Sequence, residues 1–213
     1  MSTKEHPSRV ITLDLSGSVA PVPMPVGAMP PQIWLQPEAL RSAFHAQAPQ
    51  FFQCESVLAV TGIESGISAL ARLFQTWYGS MRVVLAEPCF EQWDLRLRRA
   101  SHVVLDWPAD FILEGDIPEC DVVVLGRPVN PSGQLITIDK AKQLAQRLRA
   151  QGGWLILDEA YLDWTQQTSY CAHLDDVPAI VLRAMAPFSG VSSRRIRNSE
   201  PGPRAKVSAS RKT

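Results

Sequence analysis

The sequence predicts an α/β fold, with a mainly parallel sheet and helices on both faces. Six short apolar runs, branched and almost uncharged, are typical of strands buried on both faces. Amphipathic segments alternate with these runs, which favours parallel strands joined by right-handed helical crossovers. The chain has 213 residues, 46% of them hydrophobic, enough for the core of one such domain. The predicted strands are residues 57–61, 82–86, 102–106, 121–125, 154–157 and 179–182.

Two segments between the apolar runs have the spacing of helices packed on one side. Each carries apolar residues three and four positions apart, which places them on one face of a helix. The second segment is followed by Gly152 and Gly153, a typical end of a helix. The apolar positions are Ile67, Leu70, Ala71, Phe74 and Trp77 in the first segment, and Ile138, Ala141, Leu144 and Leu148 in the second.

Both ends of the chain differ in composition from this alternating region. Residues 21–31 contain five prolines, which do not suit a helix interior or a central strand, so residues 1–50 are predicted to form an N-terminal arm. Residues 51–186 are predicted to be part of a large domain. Residues 191–213 hold seven basic side chains and one acidic one, whereas residues 1–190 carry a net charge of −6. We expect residues 187–213 to be a disordered basic tail.

Composition also narrows the function. The whole chain has no net charge, so no global field favours nucleic acid or an anionic membrane. Cys54, Cys89, Cys120 and Cys171 are far apart in sequence, so we expect reduced thiols and no metal site. No apolar run has the roughly 20 residues of a membrane span, and no signal peptide is recognisable. The prediction is a cytoplasmic protein that does not enter membranes.

Ligands of open α/β sheets bind at the carboxyl ends of the strands, so residues that follow each run are the candidates. Gly62, Ile63 and Glu64 follow the first run, and free N–H groups there can hold a phosphate. Phe90, which follows the second run, can stack on a flat ring. An ordinary glycine turn and a core phenylalanine are the structural alternatives.

Two further strand ends carry polar candidates. Asn130 lies in a proline-glycine turn and can offer its amide to a phenolate oxygen; the alternative is a simple turn. Asp158 ends an apolar strand, where a carboxylate needs a partner such as a protonated pyridine nitrogen. Tyr161 follows three residues later, within reach of a neighbouring ring oxygen. A structural cap or salt bridge is the alternative for Asp158.

Together these segments resemble the fold-type I superfamily of pyridoxal-phosphate (PLP) dependent aminotransferases, in which N-P-x-x-P-T-G is followed by D-E-A-[FY]. Here the pair reads R-P-V-N-P-S-G at residues 127–133 and D-E-A-Y at residues 158–161. Residues 13–21, L-D-L-S-G-S-V-A-P, are similar to the opening of the cobalamin-pathway branch, which includes threonine-phosphate decarboxylase and has histidinol-phosphate aminotransferase as a close relative. Arg127, Ser132 and Phe90 depart from the commoner residues.

The resemblance implies the cofactor PLP, a small phosphorylated amino acid or amino alcohol as substrate, and a homodimer. It assigns the PLP phosphate to the backbone of Gly62, Ile63 and Glu64. Four side chains are assigned to the ring: Phe90 stacks on it, Asn130 and Tyr161 bind its phenolate oxygen, and Asp158 pairs with its nitrogen.

One family element has no counterpart. Alignment of Leu182, Arg183 and Phe188 with the family pattern places Pro187 where the Schiff-base lysine belongs, and proline has no amine to offer. The sequence therefore predicts an inactive, incomplete enzyme, interrupted by a frameshift near codon 184. Two alternatives remain: a PLP-fold domain whose basic arm binds nucleic acid or a protein partner, and a divergent enzyme that uses Lys140 or Lys142.

Overall fold

The computed structural model describes residues 37–177 and 179–185. Its core is a five-stranded, wholly parallel sheet in the order β2-β1-β3-β4-β5. The strands are β1 (Arg82–Glu87), β2 (Val103–Pro108), β3 (Val122–Gly126), β4 (Trp154–Glu159) and β5 (Ile180–Arg183). The predicted α/β class is therefore confirmed.

Within the described residues, five helices surround or precede this sheet: α1 (Pro37–Phe52), α2 (Ile63–Tyr78), α3 (Gln92–Arg99), α4 (Ala109–Glu114) and α5 (Ile138–Ala150). Two 3-10 helices, Leu162–Trp164 and Tyr170–His173, follow β4. Helices α2 and α5 cover the two segments predicted from helical spacing. No helix in the described part of the chain has both the length and the apolar character needed to cross a bilayer.

The sheet has a hydrophobic core on each face. On the face that we call the front, α2 and α3 pack through residues such as Ile67 and Leu97 against Val124 and Ile156. On the back face, α4 and α5 pack against Val123, Leu125, Leu155 and Leu157. Successive strand residues point to opposite faces of the sheet. Because helices cover both faces, most residues of β1, β3 and β4 are buried, and these strands are continuous apolar runs in the sequence.

The predicted strand at residues 57–61 is wrong. The chain there is irregular, and Leu58 and Val60 are exposed at 81% and 46%. A segment becomes a strand by pairing with a neighbour, and this one pairs with no strand within the described residues. The segment has the composition of a buried strand, but its apolar side chains are exposed.

The ends of the chain lie partly outside the described residues. Helix α1 begins inside the region predicted as an arm, and Ala48 is its one buried side chain among residues 41–52. Residues 1–36 and the tail at 187–213, with Pro187, are outside the described residues. The division into arm, domain and tail therefore stays a prediction.

Candidate functional site at the carboxyl edge of the sheet

The carboxyl ends of three adjacent strands form the edge that carries the candidate residues. Gly126, the last residue of β3, pairs in register with Asp158 near the end of β4, and Asp158 pairs with Leu182 in β5. The backbone N–H of Arg127 also donates to the Asp158 carbonyl over 2.9 Å. The turn that follows β3 thus begins directly beside Asp158.

Asp158 presents its carboxylate on the front face, the side to which Ile156 also points. Its Oδ2 accepts a hydrogen bond from the indole Nε1 of Trp93 at 2.8 Å, and its Oδ1 accepts one from the backbone N–H of Ala160 at 3.1 Å. Burial raises the pKa of Asp158, while these two donors act in the opposite direction. The carboxylate is held in one orientation by N–H groups and forms no ion pair with any described residue.

Phe90 is connected to Asp158 through hydrogen bonds of Trp93. The backbone N–H of Trp93 donates to the Phe90 carbonyl at 2.9 Å, and Phe90 packs, partly buried, against the front core. Its neighbour Cys89 has a thiol whose pKa is raised by burial and further by the carboxylates of Glu87 and Asp158. This thiol therefore stays protonated and is a poor nucleophile.

The amino terminus of α2 lies at the same edge. A Cβ placed on Gly66 would be 3.6 Å from Leu182 Cδ2, so the first turn of α2 packs beside the end of β5. Gly62 has φ 98, open space around a hypothetical Cβ, and no side-chain cap for the helix. The N–H groups at this helix start, including those of Ile63 and Glu64, have no intrahelical acceptor. The Glu64 side chain is engaged elsewhere, in an ion pair with Arg96 of α3.

Asn130 and Tyr161 lie in the segments that follow β3 and β4. Both are partly buried, and the Asn130 amide and Tyr161 hydroxyl have no side-chain hydrogen bond to any described residue. Gly126 allows the Asn130 turn to fold back closely, because a Cβ there would lie 3.0 Å from Val129 Cα. Neither residue contacts Asp158 through a hydrogen bond, so their meeting at one ligand remains a prediction.

Sequence reasoning missed Trp93. It interacts with Asp158 across 65 positions, and no periodic pattern marks such a pair. The available signal was local: Trp93 is an aromatic residue with an N–H, one helical turn after Phe90, in the segment that leaves β1. A fully buried indole N–H needs an acceptor, and the strand-end carboxylate provides it.

The described lysines do not belong to this site. Lys140 and Lys142 lie on α5, which packs on the back face through Ala141, Leu144 and Leu148, whereas Asp158 points to the front. Lys142 Nζ is paired with Asp176 at 2.8 Å, and Lys140 is exposed. The structure thus offers groups that suit the ring and phosphate of PLP, but no described lysine beside them.

The fold and this edge define a class of protein, and sequence comparison agrees. The family model described as "Aminotransferase class I and II" matches residues 38–196, which is most of the chain. The chain therefore belongs to the class I and II aminotransferase family.

The individual relatives narrow the comparison. The chain is 31% identical over 184 residues to threonine-phosphate decarboxylase of Pseudomonas aeruginosa, a match over 86% of this chain and 54% of that protein. It is 28% identical over 189 residues to the enzyme of the same name from a Sinorhizobium species, over 86% and 55% of the two chains. A histidinol-phosphate aminotransferase of Mycolicibacterium smegmatis is 44% identical over 126 residues, 55% of this chain and 30% of that one. The chain spans about half the length of the first two relatives.

Solved structures share the fold at lower identity. L-threonine-O-3-phosphate decarboxylase from Porphyromonas gingivalis superposes with a TM-score of 0.59 at 19% identity, over 68% of this chain and 44% of that one. A PLP-bound C-S lyase from Staphylococcus hominis superposes with a TM-score of 0.52 at 13% identity, over 78% and 46%. The predicted fold, a parallel α/β sheet of the PLP-dependent aminotransferase type, is thereby confirmed.

Proposed function

We propose that the carboxyl edge of the sheet is a PLP-binding site of the threonine-phosphate decarboxylase type, associated with cobalamin biosynthesis. The observation that carries this proposal is the Asp158 carboxylate, fixed by Trp93 and Ala160 at the strand end where α/β folds bind ligands. A carboxylate opposite the pyridine nitrogen keeps that nitrogen protonated, so bound PLP can act as an electron sink.

The other candidates complete the site. The backbone N–H groups of Ile63 and Glu64 would hold the phosphate, because Gly62 leaves room for it and the helix start attracts anions. Phe90 would cover the ring. Asn130 and Tyr161 would bind the phenolate oxygen with side-chain groups that have no described partner. By relationship, the substrate of a whole enzyme is a small phosphorylated amino acid, and the enzyme is a cytoplasmic homodimer.

We do not expect this chain to catalyse a reaction on its own. The amine that would attach PLP covalently has no counterpart at Pro187, and both described lysines are on the back of the sheet. We therefore expect PLP to bind non-covalently, with no decarboxylation of threonine phosphate and no transamination of histidinol phosphate. The residues of the site then only bind and orient the cofactor.

Titration of the purified full chain with PLP, followed by absorbance, tests this. We expect a saturable spectral change that Asp158→Asn weakens, and no lysine modified after borohydride treatment and mass spectrometry. Turnover above a PLP-only control would contradict the inactive assignment. A spectrum identical to that of free PLP at all protein concentrations would contradict the binding site.

The second candidate, a PLP-fold domain with a basic arm that binds nucleic acid or a protein partner, depends on the seven basic side chains of residues 191–213. Counterion release gives such arms a salt-dependent affinity for phosphates. A DNA mobility shift that is lost when residues 191–213 are deleted would support it; no such shift at low salt would remove it.

A further inference from the structure

A buried ion pair lies behind the candidate site. Arg127, the first residue after β3, and Glu159, the last residue of β4, have side chains that are 1% and 0% exposed. Arg127 NH1 and Glu159 Oε1 are 2.8 Å apart. The family pattern has Asn at the position of Arg127. The ion pair therefore depends on a residue in which this chain differs from that pattern.

Further hydrogen bonds tie both members of the pair to the surrounding chain. Arg127 Nε donates to the Ile136 carbonyl at 2.8 Å, and its NH1 donates to the Thr168 carbonyl at 3.0 Å. Glu159 accepts from the Tyr170 N–H at 3.0 Å, from the Ser169 hydroxyl, and from Arg183 at 3.3 Å. The pair thereby joins β3, β4, β5, the turn that leaves β3 and the segment before the second 3-10 helix.

Fold stability alone is a weak reason for such a pair. Removal of two charges from water costs several kcal/mol per ion, and apolar residues of similar volume commonly serve a core equally well or better. The pair instead fixes the position of the backbone segments that carry it. A planar guanidinium with three directed hydrogen bonds fixes its own backbone more narrowly than packed methyl groups do.

The backbone that it fixes carries two candidate ligands of PLP. Asn130 is three residues after Arg127, in a turn closed by the Gly133 N–H to the Val129 carbonyl at 2.7 Å. Asp158 immediately precedes Glu159 and points to the front of the sheet, because neighbouring strand residues face opposite sides. The ion pair therefore holds, from behind, the two segments whose polar side chains must meet one ring at the front.

We propose that Arg127 and Glu159 are positioning residues that set the Asn130 turn relative to Asp158, so that both side chains reach the same PLP ring. This inference rests on the proposed function. It assigns no contact between the ion pair and the cofactor, and the pair acts through the backbone of the turn.

A double-mutant cycle tests this inference, because residues that act through one another have non-additive effects. Arg127→Met, Asn130→Ala and the double variant are prepared as full chains. The measurements are the dissociation constant of PLP, the induced circular dichroism of bound PLP at saturation, and the melting temperature. Arg82→Met is the matched control, because Arg82 forms a solvent-exposed ion pair with Glu119 at 2.8 Å, at the other end of the sheet.

We expect Arg127→Met to raise the dissociation constant about tenfold and to change the induced circular dichroism, which reports the orientation of the ring. In the Asn130→Ala background, the same change should have little further effect. Arg82→Met should leave both cofactor signals unchanged. If Arg127→Met does not fold, Arg127→Lys decides the question, because it keeps the charge opposite Glu159 but lacks the planar fork of donors.

Three results would overturn the inference. An unchanged dissociation constant and dichroism with a lowered melting temperature would make the pair purely structural. Additive effects of Arg127→Met and Asn130→Ala would show that Arg127 does not act on PLP binding through the Asn130 turn. Absence of any PLP signal from the wild type would remove the proposed function, and this inference with it.

Discussion

The indole Nε1 of Trp93 donates to Oδ2 of Asp158 over 2.8 Å, which joins the start of α3 to the end of β4. We expect Trp93→Phe to weaken PLP binding by roughly ten- to a hundredfold, since a hydrogen bond to a charged group contributes about 1.5–3 kcal/mol. The smaller ring also leaves a cavity at this fully buried position, so the melting temperature of the apo variant is measured beside the affinity to show that the fold remains. Absorbance titration at neutral pH measures the loss.

The control for Trp93 is Trp107→Phe. The Trp107 indole N–H donates to the Asp116 backbone carbonyl at 2.9 Å in a solvent-exposed contact, so this variant makes the same substitution and loses an indole hydrogen bond away from Asp158. Its affinity for PLP should match that of the wild type. Equal losses in the two variants would show that the effect of Trp93 is not specific to Asp158.

The pH dependence of binding should identify the carboxyl group itself. Burial raises the pKa of Asp158, and the ionised form is the one that pairs with a protonated ring nitrogen. Affinity should therefore fall on acidification, starting at a higher pH than an ordinary Asp with its value of 3.8 would give. PLP itself also titrates in this range, but equally with both proteins. The ratio of the wild-type affinity to the Asp158→Asn affinity, measured at each pH, therefore reports Asp158 alone. A ratio that does not change with pH would contradict the assignment.

The same shift has a consequence for stability, with a definite sign. The folded state binds the Asp158 proton more tightly than the unfolded chain does, because its pKa is raised. The contribution of this group to stability should fall as the pH rises from about 3.8 through the folded pKa. Trp93→Phe removes a donor that lowers the pKa, so it should extend this window to higher pH. Denaturant melts of the apo protein at several pH values measure the difference between the two proteins.

Two leucines provide a matched test of the fold. Leu125 in β3 is 0% exposed, whereas Leu58 is 81% exposed. We expect Leu125→Ala to lower the free energy of unfolding by about 2–5 kcal/mol, the usual cost of a cavity in a core, and Leu58→Ala to lower it by less than about 0.5 kcal/mol. Guanidinium melts followed by circular dichroism compare them. A large loss at Leu58 would mean that residues 57–61 are packed in solution.

Exposed apolar side chains predict self-association. Phe51, Leu58 and Trp77 are 65%, 81% and 66% exposed, and exposed apolar side chains favour contacts between chains. Light scattering at micromolar concentration should show aggregates or oligomers, and Leu58→Gln should reduce the scattering without lowering the melting temperature. A monodisperse monomer with a reversible transition would contradict this expectation.

The sequence predicted the sheet well because its strands are buried on both faces, so apolar runs such as residues 121–125 mark them directly. The same signal failed at residues 57–61, since hydrophobicity does not report whether a neighbouring strand is present. Local motifs located Asp158 and the turn containing Asn130. They did not reveal Trp93, or Glu159 as the partner of Arg127, because these contacts are formed by side chains from segments far apart in sequence.

The strand order has a consequence for how the chain is made. After β1, every strand pairs with one that precedes it in the chain: β2 and β3 with β1, β4 with β3, and β5 with β4. A chain leaves the ribosome amino end first, so the pairing partner of each of these strands is synthesised before the strand itself. Trp93 and the turn after β3 likewise leave the ribosome before Asp158, so the groups that contact its carboxylate and its strand are made first.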